Sequence, residues 1–175
     1  MGCYNKHMTK SKREFDPIAL QAIHQSDLAR YQTIAESNST IDTKNGILIS
    51  AIVAMGVFIF QEPLYLKATS HCLNANYVLF TLLLTGTILI ITSLGITIYA
   101  ILPRKWRYPS NTIDEQPGYI EKDGQDALLQ LISDIESAMP ENDKTVRFKA
   151  KLFITSLILF IIATILLIIV KQNIG

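Results

Sequence analysis

Residues 77–102 read YVLFTLLLTGTILIITSLGITIYAIL, 26 positions without an Asp, Glu, Lys or Arg. At 1.5 Å per residue such a helix extends about 39 Å, enough to cross a hydrocarbon layer of roughly 30 Å with some tilt. A helix on the core of a soluble protein keeps a polar face; this stretch has none. A second uncharged block, Leu152–Val170, has 19 residues and fits the same layer with little to spare. A third, Gly46–Phe60, has 15 residues and alone reaches only about 23 Å. It spans fully if the helix extends into Ile41–Asn45 or into Gln61–Leu64, and otherwise re-enters on the side it left. The blocks account for a chain whose apolar content is 49%. They predict an all-α integral membrane protein with three transmembrane helices and cytoplasmic amphipathic helices.

The basic residues set the orientation. Residues 1–45 carry Lys6, Lys10, Lys12, Arg13, Arg30 and Lys44, and residues 103–151 carry Arg104, Lys105, Arg107, Lys122, Lys144, Arg147, Lys149 and Lys151. The 61–76 loop has Lys67 alone and the C-terminal tail Lys171 alone. Basic and poor segments alternate as three spans require, so the positive-inside rule places the N-terminus in the cytoplasm and the C-terminus in the periplasm. Nine of the fifteen acidic residues also lie in 103–151, so the net charge of +1 describes topology rather than attraction to nucleic acid. Cys3 and Cys72 fall on opposite sides of the membrane and cannot pair within one chain. The first 45 residues contain no apolar stretch of the signal-peptide kind, and Met-Gly-Cys with Lys6 does not fit a lipidation signal.

Four segments follow: 1–40, a cytoplasmic region with an amphipathic helix; 41–102, a transmembrane hairpin with spans at about 43–63 and 77–102; 103–150, a cytoplasmic loop and helix; and 151–171, the third span. Asp16-Pro17 has the form of a helix start, with Asp16 as N-cap and Pro17 in the first helical position. Leu20, Ile23, Leu28, Tyr31, Ile34 and Ala35 then recur at helical spacing to about residue 37. Ser37–Thr40 either breaks this helix or lets it run into the first span. Residues 109–123 read as a loop. Leu128, Ile132, Ile135 and Met139 mark a further amphipathic helix over 125–139, which Pro140 terminates, and Asn142 or Asp143 caps the next one.

Gly46, Ser50 and Ala54 in the first span, and Thr81, Thr85, Thr92 and Gly95 in the second, lie close to one helix face each. Small residues let helix backbones approach in lipid; equally, the hydroxyls can bond their own backbone carbonyls. Pro103 ends the second span, and Arg104-Lys105-Trp106-Arg107 follows at the interface. Anchoring in the headgroup layer accounts for this cluster; the sharper reading is an anion or nucleotide site, with cations on phosphate and an aromatic on a base. No phosphate-binding glycine loop, metal-ligand spacing or Ser-His-Asp order is present. His7, His24 and His71 are scattered. No charge lies deep in 77–102 or 152–170, where ion-coupled carriers keep one. The chain therefore reads as no enzyme and without a cofactor, leaving sensing, pore formation or scaffolding.

Three elements carry a family resemblance over roughly residues 15–171. Asp42-Thr43-Lys44-Asn45-Gly46 leads into the first span, Ala100-Ile101-Leu102-Pro103-Arg104 closes the second, and Lys144 through Lys151 leads into the third. In these the chain resembles the transmembrane effectors of bacterial Pycsar anti-phage systems. The resemblance implies a homo-oligomeric inner-membrane protein that senses cyclic UMP or cyclic CMP from a companion pyrimidine nucleotide cyclase. It then impairs membrane integrity and causes abortive infection. It also implies candidate ligand residues: Asp42 and Lys44, which could pair in one state and separate in another, and Arg104, which could contact phosphate; the interface cluster adds Lys105, Trp106 and Arg107 as candidates. Other readings are a scaffolding membrane protein without a pore and a small transporter.

Overall fold

The computed structural model of the chain describes residues 16–61, 77–108 and 124–174, and all regular structure among them is helical. Three helices follow in order: α1 (Pro17–Gln61), α2 (Tyr77–Ile101) and α3 (Gly124–Ile174). Each is long and apolar enough to cross a membrane. The expectations for Lys67 and Cys72, for Cys3 and His7, and for the 109–123 loop lie outside the described residues. By contact the chain divides into two compact units, Met1–Tyr31 with Tyr108–Ala138, and Gln32–Arg107 with Met139–Gly175.

In the first unit α1 starts as its sequence dictates. The Asp16 Oδ1 accepts the Ile18 N–H at 3.0 Å, and the Leu20 N–H bonds the Asp16 carbonyl at 3.1 Å. Asp16 is therefore the N-cap and Pro17, with no N–H to satisfy, takes the first helical position. The inward face differs from the apolar stripe expected of it. Leu20 and Asp27 are buried and His24 and Tyr31 half-buried, whereas Ile23 and Leu28 are exposed. On α3 the face is the expected one, with Ile132 and Ile135 buried and Leu128 half-buried.

One helix boundary was left open by the sequence and another falls differently from expectation. Ser37–Thr40 lets α1 run on, unbroken for 45 residues. Its serine and threonine hydroxyls turn back on the helix, Ser37 Oγ to the Thr33 carbonyl at 2.8 Å and Thr43 Oγ1 to the Ser39 carbonyl at 3.0 Å. Pro140 does not terminate a helix: it lies inside the 51-residue α3. A proline there removes one backbone hydrogen bond and crowds the preceding turn, a cost of about 3 kcal/mol. Packing on both sides outweighs it, since Met139 and Asn142 are both buried. Asn142 and Asp143 accordingly cap nothing. Asp143 instead pairs with Arg147 one turn on, at 2.8 Å.

The second unit is a packed set of three helical segments with a seven-residue rhythm. On α3 the seam is Asn142, Val146, Lys149, Phe153, Ser156, Phe160, Ala163, Leu167 and Val170, in alternating steps of four and three, and none of these is exposed. Leu83, Gly86, Ile90, Ser93, Thr97 and Ala100 make the matching seam on α2, all buried. On α1 it is Ile34, Asn38, Ile41, Asn45, Leu48, Ile52 and Met55. A strict period of 3.5 residues keeps a seam facing its partners only if the helices wind around one another left-handedly. Leu48, Ile52, Leu83, Ile90, Ala163, Leu167 and Val170 form one contiguous apolar core. There α2 and α3 come close: a Cβ placed on Gly86 would stand 3.1 Å from Leu167 Cγ.

The outer surface is the reverse of a soluble protein's. Seven isoleucines of α3 between Ile154 and Ile169 are 39–54% exposed. A face that broad and apolar does not stay open to water on a soluble monomer, whereas lipid solvates it without cost. The small-residue faces read from the sequence also point outward rather than into the bundle. Gly46 and Gly95 have open space beside them, and Ser50, Thr81 and Thr92 bond the carbonyls of Gly46, Tyr77 and Ile88 on their own helices. Close helix approach uses Gly86, Ser93 and Ala100 instead.

Candidate functional site

One end of the second unit has a polar interior, built from residues that the seven-residue register turns inward. Asp42 on α1 meets Lys149 on α3: the Lys149 Nζ donates to both Asp42 carboxylate oxygens at 2.9 Å. The Lys149 side chain is only 5% exposed and that of Asp42 33%, so the cation is enclosed and the anion keeps partial access to solvent. Asn38, one turn before Asp42, donates its Nδ2–H to the same carboxylate at 3.4 Å. Lys44 is exposed. It sits two residues from Asp42, on another side of the helix, and positions i and i+2 do not face each other. In this arrangement Asp42 pairs with Lys149, and Asp42 and Lys44 stand apart.

Three hydroxyls tie α2 to α3 beyond this pair. The Ser93 Oγ donates to the Ser156 carbonyl at 2.9 Å, and the Ser156 Oγ reaches the Ser93 carbonyl at 2.8 Å. Thr97 Oγ1 lies against the Ser156 Oγ and bonds the Ser93 carbonyl of its own helix. All three residues are fully buried. In a water-free interior such bonds have no solvent competitor, which fixes the register of one helix against the other.

Asn142 extends the tie beyond the end of α2. Its Oδ1 accepts the Arg107 N–H at 3.0 Å and its Nδ2–H donates to the Arg107 carbonyl at 2.8 Å. This reproduces one rung of a backbone ladder. The Arg107 guanidinium lies 3.4 Å from the Glu141 carboxylate. Arg104 is placed differently: its guanidinium lies 5.0 Å from the Tyr99 ring centroid and 4.4 Å from that of Phe148. Lys105 is exposed and Trp106 half-buried. The four cluster residues thus have four environments.

Asn45 stands apart. It is fully buried, yet neither its Nδ2 nor its Oδ1 has a partner. Of the buried side-chain atoms without a partner among the described residues, only the Arg104 Nε lies outside α1; the others belong to His24, Asp27, Asn38 and Asn45.

In the first unit an open cavity of about 500 Å³ is lined by Pro17, Leu20 and Gln21 of α1 and by Gly124, Gln125, Asp126 and Leu128 of α3. It brings together the N-terminal turns of both helices, whose free N–H groups favour anions. Asp16, which caps α1, and Asp126, in the first turn of α3, oppose an anion there. No group of three or more His, Cys, Asp or Glu side chains among the described residues is placed to hold a metal ion.

Lys149, Asn142, Ser93 and Ser156 were absent from the sequence-derived site. The signal for the three on α3 is the spacing 142–149–156–163–170, which puts three polar residues and two apolar ones on a single helical line. No protein-family model matches the chain, and no curated protein or solved structure matches it.

Proposed function

We propose that this chain is a membrane effector of nucleotide-signalled anti-phage defence. In this reading it responds to cyclic UMP or cyclic CMP from a companion cyclase by impairing the inner membrane, and it acts as a homo-oligomer with its N-terminus in the cytoplasm and its C-terminus in the periplasm. It has no catalytic role. The observation that carries the reading is the Asp42–Lys149 pair. Asp42 is the acidic residue of the Asp-x-Lys element on which the family resemblance rests, and the pair lies at the basic end of the second unit.

A buried ion pair suits a two-state element. Desolvation offsets much of its Coulomb attraction, so the paired state is favoured only narrowly, yet removing one partner is costly. Both facts give a bundle that holds its resting form and can leave it. Lys149 is too enclosed to meet a ligand while Asp42 occupies it. An anionic ligand therefore acts by preferring the arrangement in which the pair has opened, and it shifts the balance only by its preference for that state over the other. The unpartnered Asn45, one turn further along α1, lowers the stability of the resting arrangement and narrows the gap to be bridged.

The test is dye release from vesicles containing the full chain. Cyclic UMP or cyclic CMP is expected to release the dye and cyclic AMP is not; D42N vesicles are expected to leak without nucleotide. Vesicles that stay sealed with either pyrimidine nucleotide bound would refute the proposal.

A further inference from the structure

We propose that Arg104 is the centre of a phosphodiester-recognition site at the end of α2, with Tyr99 and Phe148 as its walls. The inference stands on other residues than the Asp42–Lys149 pair, and in its nucleotide arm it rests on the nucleotide-response reading. It begins from what the two rings do to the guanidinium. A cation–π contact spends no N–H donor of the guanidinium, and with the Nε enclosed the four N–H groups of its two terminal nitrogens form the edge left for a ligand. The attraction comes from the ring quadrupole and neutralises no charge. Arg104 thus arrives at the end of α2 held at 5.0 Å from Tyr99 and 4.4 Å from Phe148. Among the described residues no carboxylate pairs with it, and its Nε is enclosed without a hydrogen bond.

The neighbouring cations are not placed this way. Arg107 has its backbone held by Asn142 and its guanidinium beside Glu141, Arg147 is paired with Asp143, and Lys149 with Asp42. Lys105 is exposed. Of these cations Arg104 is the one that combines partial burial, two rings beside its guanidinium and a planar edge that no carboxylate among the described residues takes. That edge matches two oxygens of a phosphate in a bidentate pair. A single guanidinium balances a single negative charge, which favours a phosphodiester over a phosphomonoester. A glycerophospholipid headgroup and a cyclic nucleotide both present such a group. The exposed flanks of Tyr99 and Phe148 offer the apolar contact that an acyl chain or a base would use.

The full chain, purified in dodecyl maltoside, contains no phosphate from its detergent. Phosphatidylglycerol and cyclic UMP are added separately and then together, and binding is followed by native mass spectrometry and by the unfolding midpoint. R104K retains the charge but loses the planar edge; F148L retains the bulk and loses one ring; R30Q, at an exposed position in the first unit, is the comparison. Binding of at least one of the two phosphodiesters is expected to weaken about tenfold in R104K and measurably in F148L, and not in R30Q. Retention of phosphatidylglycerol against cyclic UMP assigns the site to lipid, and the reverse assigns it to the nucleotide; either result supports it. If R104K, with unchanged helical circular dichroism, binds both as the parent does, or if the parent binds neither, the proposal fails. Sealed vesicles in the dye experiment leave it standing, because that result bears on Asp42 and Lys149 alone.

Discussion

The two ends of the second unit solve the same packing problem with opposite chemistry. At one end Leu48, Ile52, Leu83, Ile90, Ala163, Leu167 and Val170 interlock without a polar atom. At the other, the same seven-residue register places Asn45, Ser93, Thr97, Asn142, Lys149 and Ser156 inside. In water the first set would provide the driving force. In lipid it does not, because a leucine is equally well solvated by acyl chains, and the apolar end contributes shape alone. Orientation and register fall to the polar end, where each bond has a specific partner. Shape is forgiving when volume is conserved. A polar interior is not, since one missing partner leaves another group buried and unpaired.

Removal of Asp42 tests that contrast hardest. D42N leaves an ammonium that is 5% exposed without its counter-charge, and a loss of about 3 kcal/mol is expected from thermal unfolding in detergent. K149M should cost less, about 1 kcal/mol, because the Asp42 side chain is 33% exposed and water can take the lysine's place. Equal losses would mean that Lys149 reaches solvent in solution. At the apolar end G86L is expected to cost about 2 kcal/mol, since even a Cβ there would stand 3.1 Å from Leu167 Cγ. G95A, on the same helix with open space beside it, should be neutral or slightly stabilising. If G86L were tolerated like G95A, the close approach of α2 and α3 would not exist.

Asn45 offers a change of opposite sign. N45L replaces an amide with no partner by an apolar side chain of similar size, and a gain of about 1–2 kcal/mol is expected. The same variant should need more nucleotide to release dye, a shift readable from the dose response. S156A is expected to cost about 0.6 kcal/mol. The Ser93 and Thr97 hydroxyls left behind can turn to carbonyls of their own helix, as Thr97 already does. A loss several times larger would make the hydroxyl cluster a cooperative unit.

Much of the helical framework was legible in the sequence. Uncharged runs such as 77–102 are conspicuous because hydrocarbon tolerates so little else, and Asp16-Pro17 announced the start of α1 through local bonding alone. The continuity of α1 and α3 was harder to read. Ser37–Thr40 and Pro140 are unfavourable by propensity, and only contacts distant in sequence overrule them. The site was legible by half. Asp42 and Arg104 stood out beside the membrane edge, but Lys149 was hidden among the basic residues 144–151, which the positive-inside rule explains without reference to the interior. Its partnership appears only when 142, 149 and 156 are counted as one line. The hydrophobic stripe on α1 misled for a related reason: Ile23 and Leu28 flank the true seam, which passes through His24 and Asp27.

The reciprocal clasp between Ser93 and Ser156 decides which part of the second unit is free to act. A slide of α2 along α3 by one residue, about 1.5 Å, would part both hydroxyls from both carbonyls together and pull Asn142 from its rung on Arg107. In the proposed response those two helices are the stator. Among the described residues α1 is joined to it by apolar contact and one ion pair, with an idle amide beneath, which makes α1 the rotor of that response.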